Sequence, residues 1–453
     1  MAAQILAICI FVGMFLLIIL DKFERYYITL ASGALVLALV FGVCMHSMSA
    51  IWGTLNLPSI FTSGFWYGAS EEGNSGINWS TIFFIAGMMI MVEGLGKAGF
   101  FRWLCLTLAK LVRYRIVPLL VCFMVLSAVL SMFIDSITVV LFLATVTLEL
   151  AQTMKFNPIP MILSEVFCAN LGGAATMCGD PPNIIVGTSL GYTFFDFISN
   201  TGVAVAICFV LVLIYFVLCF RKRLLCDEKN SGAAVCPQPG TAITNRPAFL
   251  LSAGVFLLAV ILLATHAQTK LTVACIGVIV AALSLVVIGC TSGGKAVLEI
   301  IKGVDYKTLL FFIGLFVSVA GLKETGVLDV IARFITTVSG GNAAIIVVII
   351  LWISAVTSAF VDNIPFAATM IPVVRSIAAA SGIDMGVLAW ALSLGTDLGG
   401  NATPIGASAN VVGTSVAAKG GYPISWGVYC KYCVGATVLV IAVSMGYLFL
   451  RYL

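Results

Sequence analysis

The chain has 453 residues, of which 61% are hydrophobic and only 9% are charged, whereas soluble proteins carry about 25% charged residues. This composition excludes a soluble globular protein, and the long uncharged runs suffice for on the order of ten transmembrane helices in a lipid bilayer. No polar stretch is long enough for a nucleotide-hydrolysing domain of about 100 residues, which excludes a self-contained ATP-driven pump. The net charge of +4 is too small to indicate binding to nucleic acid.

Apolar runs follow one another along the whole chain. The first is expected to stay as a helix, because its first basic residue, Lys22, follows the run, whereas a signal peptide carries its charge before it. The predicted runs begin near residues 3, 27, 80, 117, 136, 159, 201, 247, 271, 308, 343, 364, 386 and 432.

Four of these runs are interrupted by residues that do not suit a plain membrane span. Asp135 interrupts the stretch 118–150, and Asp362 interrupts the stretch 343–380. Glycine-rich segments near Gly172 and Gly399 break two others. Such interruptions predict re-entrant hairpins and broken helices, whose free backbone groups must face protein or a wet cavity.

A shift of 227 residues aligns the unusual positions of the two halves. Chance hydrophobic similarity does not keep Asp, Asn and Gly in register, so the sequence predicts an internal duplication. Gly87, Gly94, Ser127, Asp135, Gly172, Gly173, Thr176, Gly179 and Asn183 fall on Gly314, Gly321, Ser354, Asp362, Gly399, Gly400, Thr403, Gly406 and Asn410.

If the Asp-containing stretches are hairpins that enter and leave on one side, each half has five crossings, and an odd number inverts the second half. The predicted fold is therefore an all-α polytopic membrane protein with two inverted repeats of five transmembrane helices. Each repeat contains a re-entrant hairpin and a broken helix. The first repeat spans 1–220, a cytoplasmic linker spans 221–246, and the second, inverted repeat spans 247–453.

The basic residues predict the orientation. With both termini outside, eighteen of the 23 Lys and Arg residues lie on the cytoplasmic side, as the positive-inside rule requires. The expected location is the cell (inner) membrane, with the N- and C-termini outside. The five basic residues expected outside are Lys270, Lys323, Arg333, Arg375 and Arg451.

The glycine-rich breaks form the first candidate site. Paired glycines let a helix end and leave its carbonyls free for a cation, and Asp180 is expected to cap a new helix that starts at Pro181. Close helix packing is the alternative explanation for the glycines. The residues predicted to bind substrate or ions here are Asn170, Gly172, Gly173, Thr176, Asp180, Asn183, Asp397, Gly399, Gly400, Asn401, Thr403 and Asn410.

Asp135 and Asp362 form the second candidate site. A carboxylate at membrane depth costs at least about 2.5 to 3.5 kcal/mol, so it normally faces a cavity, a partner, a proton or a cation. The alternative is that each aspartate only ties its hairpin tip to backbone amides. Both are predicted substrate- or ion-binding residues, as are the neighbouring oxygen ligands Ser136, Thr138 and Asn363. A Na⁺ ion is predicted at Asp135, Ser136, Asp362 and Asn363.

A buried carboxyl group can carry a proton instead of a cation. Glu165, which has no acidic counterpart in the second half, is a candidate proton relay. Residue type alone does not choose between Na⁺ and a proton as the coupling ion.

The segments 178–197, 358–374 and 398–425 resemble the ion transporter superfamily, most closely the branch of the arsenite permease and the melanosomal P protein. Citrate, dicarboxylate and sodium/proton carriers are relatives. The resemblance implies a homodimer, elevator-like alternating access and, for an arsenite-type protein, a cytoplasmic ATPase partner. Dicarboxylate carriers place Ser-Asn-Thr at the hairpin tips, where this chain has Asp135-Ser136-Ile137 and Asp362-Asn363-Ile364. The extra negative charge weighs against a dianion.

The predicted function is secondary active transport of a small ion, an arsenite-type oxyanion or another anion, coupled to a proton or Na⁺ gradient. The alternatives are a sodium/proton antiporter, a dicarboxylate or citrate symporter, and a passive anion channel. No constellation of nucleophile, base and metal is present, so neither an enzyme nor a cofactor beyond the coupling ion is predicted.

Overall fold

The computed structural model describes residues 1–20, 22–68, 76–230 and 237–453, without the side chains of 226–230. Within these residues every regular element is a helix, and the one β contact is an isolated bridge between Tyr67 and Leu271. Ten of the described helices are long and apolar enough to cross a membrane. The predicted all-α membrane architecture is confirmed.

The described residues of the first half form twelve α-helices. They are α1 Ala2–Leu20, α2 Arg25–Leu35 with a π-helical continuation Val36–Cys44, α3 Met48–Leu55, α4 Ser63–Trp66, α5 Trp79–Lys97, α6 Phe100–Leu111, α7 Ile116–Ser131, α8 Ser136–Met154, α9 Ile159–Gly173, α10 Pro181–Leu190, α11 Phe194–Phe197 and α12 Val203–Asn230. Helix α12 continues to Asn230, so the start of the predicted linker 221–246 is helical. Residues 231–236 of that linker lie outside the described residues.

The second half contains eleven α-helices in the described part of the chain. They are α13 Arg246–Ala264, α14 His266–Thr269, α15 Val273–Ser292, α16 Gly294–Gly303, α17 Tyr306–Glu324, α18 Val327–Val338, α19 Ala343–Ser358, α20 Asn363–Ser381, α21 Met385–Gly399, α22 Ser408–Lys419 and α23 Trp426–Tyr452.

The helix boundaries repeat with the predicted shift. Helices α17, α18, α19 and α20 begin and end 227 residues after α5, α6, α7 and α8. Helix α15 corresponds to α2 and its π-helical continuation with a larger offset of 248 residues. The difference arises because the first half inserts α3 and α4 before α5. The duplication is therefore present in the helices as well as in the residue pattern.

Two cavities lie at opposite ends of α10 and reveal the inversion. The Arg375 cavity, of about 1020 Å³, is lined by the start of α5 at Trp79. The Asp362 cavity, of about 610 Å³, is lined by the start of α17 at Lys307. Equivalent helices thus begin at opposite faces of the bundle, which confirms the predicted inverted repeats.

The two repeats interlock through their hairpins and broken helices. Helix α15 packs along α5, and α17 packs along α2. Hairpin α7–α8 packs on α9, and hairpin α19–α20 packs on α21. Each second half-helix contacts the hairpin of the other repeat, α10 on α20 and α22 on α8. The centre of the molecule is therefore built from both repeats.

The outer helices present apolar side chains on the surface of the bundle. Leu16 on α1, Val210 on α12 and Leu250 on α13 are all more than half exposed. A large exposed apolar surface around a bundle is typical of lipid contact. The chain is an integral membrane protein.

Candidate ion-binding site at the hairpin tips

Helices α9 and α21 end at the predicted glycine-rich breaks, and a neighbouring helix approaches each of them closely there. A Cβ atom on Gly172 would lie closer than 3.0 Å to the backbone of Ala128 on α7. A Cβ atom on Gly399 would meet the backbone of Ala355 on α19 in the same way. Close helix packing, the alternative explanation for the glycines, is therefore correct at these two positions.

Each break is held together by an asparagine of the following half-helix. The Asn183 side-chain amide donates to the carbonyls of Gly173 and Thr176, both at 3.1 Å. Asn410 makes the two equivalent bonds in its own half at 2.8 Å, one of them to Gly400. These carbonyls each accept an asparagine N–H, and because a carbonyl oxygen has two lone pairs, cation binding at the breaks stays a prediction.

The two broken helices meet in a fully buried polar cluster. Asn170 donates to the side-chain oxygens of Asn401 and Asn410, each at 2.8 Å. Asp397, the counterpart of Asn170, is 0% exposed, and neither of its carboxylate oxygens has a hydrogen-bond partner among the described residues. None of these four residues lines either cavity. They connect the two repeats.

Both hairpin tips are capped by their aspartates. Asp135 accepts from the backbone N–H of Thr138 at 2.9 Å and from its hydroxyl at 2.8 Å. Asp362 accepts from the backbone N–H of Ile364 at 3.3 Å. Each aspartate therefore does tie its tip to a backbone amide, as the alternative explanation requires. Both residues also line the Asp362 cavity, so capping does not preclude a second role.

Threonine hydroxyl groups connect each hairpin tip to the neighbouring break by a hydrogen bond. Thr176 donates to the carbonyl of Met132 in the first half, and Thr403 donates to the carbonyl of Ala359 in the second. Asn363 begins α20 and is 4% exposed. Each tip and its neighbouring break are thus held as one unit.

Asp180 precedes α10, but its side chain makes no capping hydrogen bond. The prediction that Asp180 caps this helix is wrong in that respect. Its Oδ1 instead accepts from the hydroxyl of Ser136 at 2.7 Å, and its Oδ2 is buried without a partner. Ser136 therefore joins the first hairpin tip to the first break, and an unpartnered buried carboxylate oxygen remains beside it.

Sequence reasoning missed the partner of Asp362. Arg25 Nη1 lies 2.5 Å from Asp362 Oδ2, and the Asp362 side chain is only 4% exposed. The Ser408 hydroxyl donates to the same oxygen at 2.8 Å. In the sequence, Arg25 was only a marker of membrane sidedness, because its carboxylate partner lies 337 positions away.

The site carries an excess of negative charge. The charges of Asp135 and Asp362 both act on Asp180. Among the described residues, Arg25 is the only Lys or Arg that forms an ion pair with any of these three aspartates. Carboxylate charges in a low-dielectric interior need a cation or a proton for compensation. The geometry suits a cation bound by oxygen atoms.

Glu165 lies apart from this site. It is 0% exposed, accepts from the Thr147 hydroxyl at 2.5 Å through Oε1, and has an unpartnered Oε2. It lines neither cavity. Its role as a proton relay stays a prediction.

Three basic residues line the Arg375 cavity, together with the two acidic residues Glu324 and Asp329. Lys270, Lys323 and Arg375, three of the five basic residues expected outside, line it. Arg375 donates to the carbonyl of Ser189 at the end of α10. Along α20, only one turn separates Ile364 in the Asp362 cavity from Ala368 in the Arg375 cavity. The two cavities therefore approach the hairpin tips from opposite faces.

Comparisons with known proteins match this chain to a transporter family and to related membrane proteins. A family pattern described as citrate transporter (CitMHS) matches residues 15–395. An uncharacterized transporter of Mycobacterium tuberculosis is 33% identical over 451 residues, covering 99% of both chains. The P protein of Homo sapiens is 27% identical over 453 residues, covering 83% of this chain and 53% of that protein.

Two solved transporter structures share the fold. The YdaH transporter of Alcanivorax borkumensis has a TM-score of 0.53 at 17% identity, covering 81% of this chain and 84% of that one. MtrF of Neisseria gonorrhoeae has a TM-score of 0.55 at 12% identity, covering 88% and 84%. Together with the family match, these findings show that the chain is a membrane transporter that belongs to the CitMHS citrate transporter family.

Proposed function

We propose that this chain is a secondary active transporter that couples the movement of a small anion to a Na⁺ or proton gradient by alternating access. The observation that carries the proposal is the arrangement of Asp135, Ser136 and Asp180 at the first hairpin tip. It combines two carboxylates, a bridging hydroxyl and one unpartnered buried oxygen. Such a site attracts a cation, and the cavities at either face give two routes toward it.

The charge of the residues that line the Arg375 cavity supports an anion as the substrate. Basic side chains that line a cleft raise the local concentration of anions. Lys323 and Arg375 lie close enough in the Arg375 cavity to repel each other electrostatically. An anion between them would relieve that repulsion.

The substrate class includes both oxyanions and carboxylates. The aspartates Asp135 and Asp362, which stand at the tips in place of uncharged residues, disfavour a dianion. The ion pair between Arg25 and Asp362 removes one of those charges, which weakens the objection. The citrate transporter family match supports a carboxylate, and the arsenite-type oxyanion remains the second substrate to test.

A sodium/proton antiporter is the second candidate function. It is favoured by one specific observation, namely that of three neighbouring aspartates only Asp362 has an ion-pair partner among the described residues. In that case the cation would be the transported substrate, and no anion would pass through the Arg375 cavity.

The test uses the purified chain in proteoliposomes, with Na⁺ and pH gradients imposed separately and uptake of citrate, arsenite and Na⁺ measured. We expect saturable anion uptake driven by one gradient, and a loss of at least about tenfold in Asp135→Asn and Asp180→Asn, the equivalent of about 1.4 kcal/mol. Glu149→Gln is the matched control, because Glu149 forms a partly exposed ion pair with Arg102.

Three outcomes contradict the proposal. Anion flux that needs no gradient and does not saturate would indicate a passive channel. Na⁺ uptake driven by a pH gradient without any anion would indicate the antiporter. Unchanged coupled uptake in both aspartate variants would remove the first hairpin tip from the mechanism.

A further inference from the structure

The two hairpin tips occupy equivalent positions in the repeat but differ in their ion pairs. Asp135 and Asp362 are counterparts in the repeat, and each caps the helix that follows it. Asp362 is paired with Arg25 at 2.5 Å. No Lys or Arg in the described part of the chain forms an ion pair with Asp135. The first tip keeps a negative charge that the second tip has neutralised.

The difference originates in α2. Arg25 is the first residue of α2, and its counterpart at the start of α15 is the apolar Val273. The second repeat therefore offers no matching guanidinium from this position. Because an arginine stays protonated in proteins, the positive charge at Asp362 is a permanent part of the chain.

The Arg25 guanidinium occupies the position beside Asp362 that a bound cation would otherwise take. Oδ2 of Asp362 accepts from Arg25 and from the Ser408 hydroxyl, while Oδ1 accepts from the N–H of Ile364. A second cation at this tip would have to displace Arg25 and overcome repulsion from its charge. At the first tip, the partnerless Oδ2 of Asp180 has no such competitor.

We propose that Arg25 is a tethered counter-cation that fills the second hairpin tip. The chain consequently has one exchangeable cation site, formed by Asp135, Ser136 and Asp180, although each repeat provides a tip with an aspartate. This inference rests on the proposed function, in which a cation drives transport, and it deepens that function by assigning the number of coupling ions.

The experiment counts coupling cations in proteoliposomes. For a known substrate gradient, the cation gradient at which net substrate flux stops gives the number of cations moved per substrate molecule. It is measured with a Na⁺ gradient and with a pH gradient separately. We expect one cation and a Hill coefficient of about 1 for the unmodified chain. Arg25→Gln vacates the second tip, so we expect two cations and a Hill coefficient approaching about 2.

Two further variants sharpen the test. Lys307→Gln breaks an exposed ion pair with Glu24 at the same cavity, and we expect the count to stay at one. Asp362→Asn removes a carboxylate that holds no exchangeable cation, so the count should also stay at one at whatever rate remains. If Arg25→Gln does not fold, the cation count in Asp362→Asn tests the inference by itself.

A count of two in the unmodified chain, an unchanged count in a folded Arg25→Gln variant, or a lowered count in Asp362→Asn would overturn the inference. Uptake that needs no cation would instead overturn the proposed function. In that event, ²²Na⁺ binding to the purified protein decides the inference separately, with one site expected in the unmodified chain and two in Arg25→Gln.

Discussion

At the scale of single residues, the buried cluster between the broken helices is asymmetric. Asn410 is oriented by two backbone carbonyls that accept its amide hydrogens, so its side-chain oxygen must face Asn170. Asn170 therefore acts as a donor to two acceptors. Its counterpart Asp397 has oxygens only, and neither finds a donor among the described residues. Asn170 and Asp397 thus occupy equivalent positions in the two repeats but do not make equivalent hydrogen bonds.

Exchanging the two side chains should have opposite effects on stability. Asn170→Asp leaves two buried acceptors without a donor and brings a carboxyl group against them, which should lower the free energy of unfolding by about 2 to 6 kcal/mol. Asp397→Asn removes a buried unpaired carboxyl group and should leave stability unchanged or higher. Thermal unfolding of the purified protein in detergent measures both. Equal losses in the two variants would contradict this assignment.

The residue scale also shows which site residues a sequence can identify. Asp135 and Asp362 stand out because a charge in an apolar run is expensive. Arg25 does not stand out, because a basic residue at the start of an apolar run is an ordinary feature of membrane topology. Its contact with Asp362 depends on how α2 packs against the second repeat.

At the scale of elements, the glycines set how closely each broken helix approaches its hairpin. Gly172 on α9 faces Ala128 on α7, and Gly399 on α21 faces Ala355 on α19. The close approach brings the hairpin tip beside the break. There the hydroxyl of Thr176 or Thr403 reaches a tip carbonyl.

Adding a methyl group at either glycine should push the hairpin away from the break. Gly172→Ala and Gly399→Ala should each destabilise the protein by about 1 to 3 kcal/mol through overpacking, and should impair transport. Gly254→Ala in α13 is the matched control, because its Cβ atom would meet no atom within 4 Å. Melting temperature and uptake measured together check this. A stable, active Gly172→Ala variant would contradict the packing argument.

The predicted elements agree with the observed helices where a local signal exists. Asp135 and Asp362 mark the starts of α8 and α20, and Pro181 marks the start of α10. The side-chain role of Asp180 was missed. Its hydroxyl partner Ser136 lies 44 positions away, and local capping rules do not include such distant donors.

At the scale of the whole molecule, inversion places the Arg375 cavity and the Asp362 cavity at opposite faces. Lys270 is exposed and lines the first, and Lys307 is exposed and lines the second. The distribution of basic residues predicts that the Lys307 face lies in the cytoplasm. Orientation can therefore be tested by chemical access to these two positions.

Lys270→Cys and Lys307→Cys should react with a membrane-impermeant maleimide from opposite sides of intact cells. We expect labelling of Lys270→Cys from outside, and labelling of Lys307→Cys only after the membrane is opened. Labelling of both from the same side would contradict the inverted arrangement, and the reverse pattern would contradict the predicted orientation. The background should first have serine at the exposed cysteines of the described residues, Cys9, Cys44, Cys219 and Cys290, and at Cys226 and Cys236, whose side chains are not described.

The sequence by itself determined the membrane class, the duplication, its inversion and the positions of the hairpin tips. Each of these follows from composition, from a fixed shift, or from a charge that an apolar run does not tolerate. Only the tertiary structure decided that Arg25 pairs with Asp362 and that Ser136 donates to Asp180. It also decided that Asn183 and Asn410 donate hydrogen bonds to the backbone carbonyls of the breaks. These contacts depend on the packing of helices from both repeats, because a buried polar group takes whichever donor or acceptor the fold brings within reach.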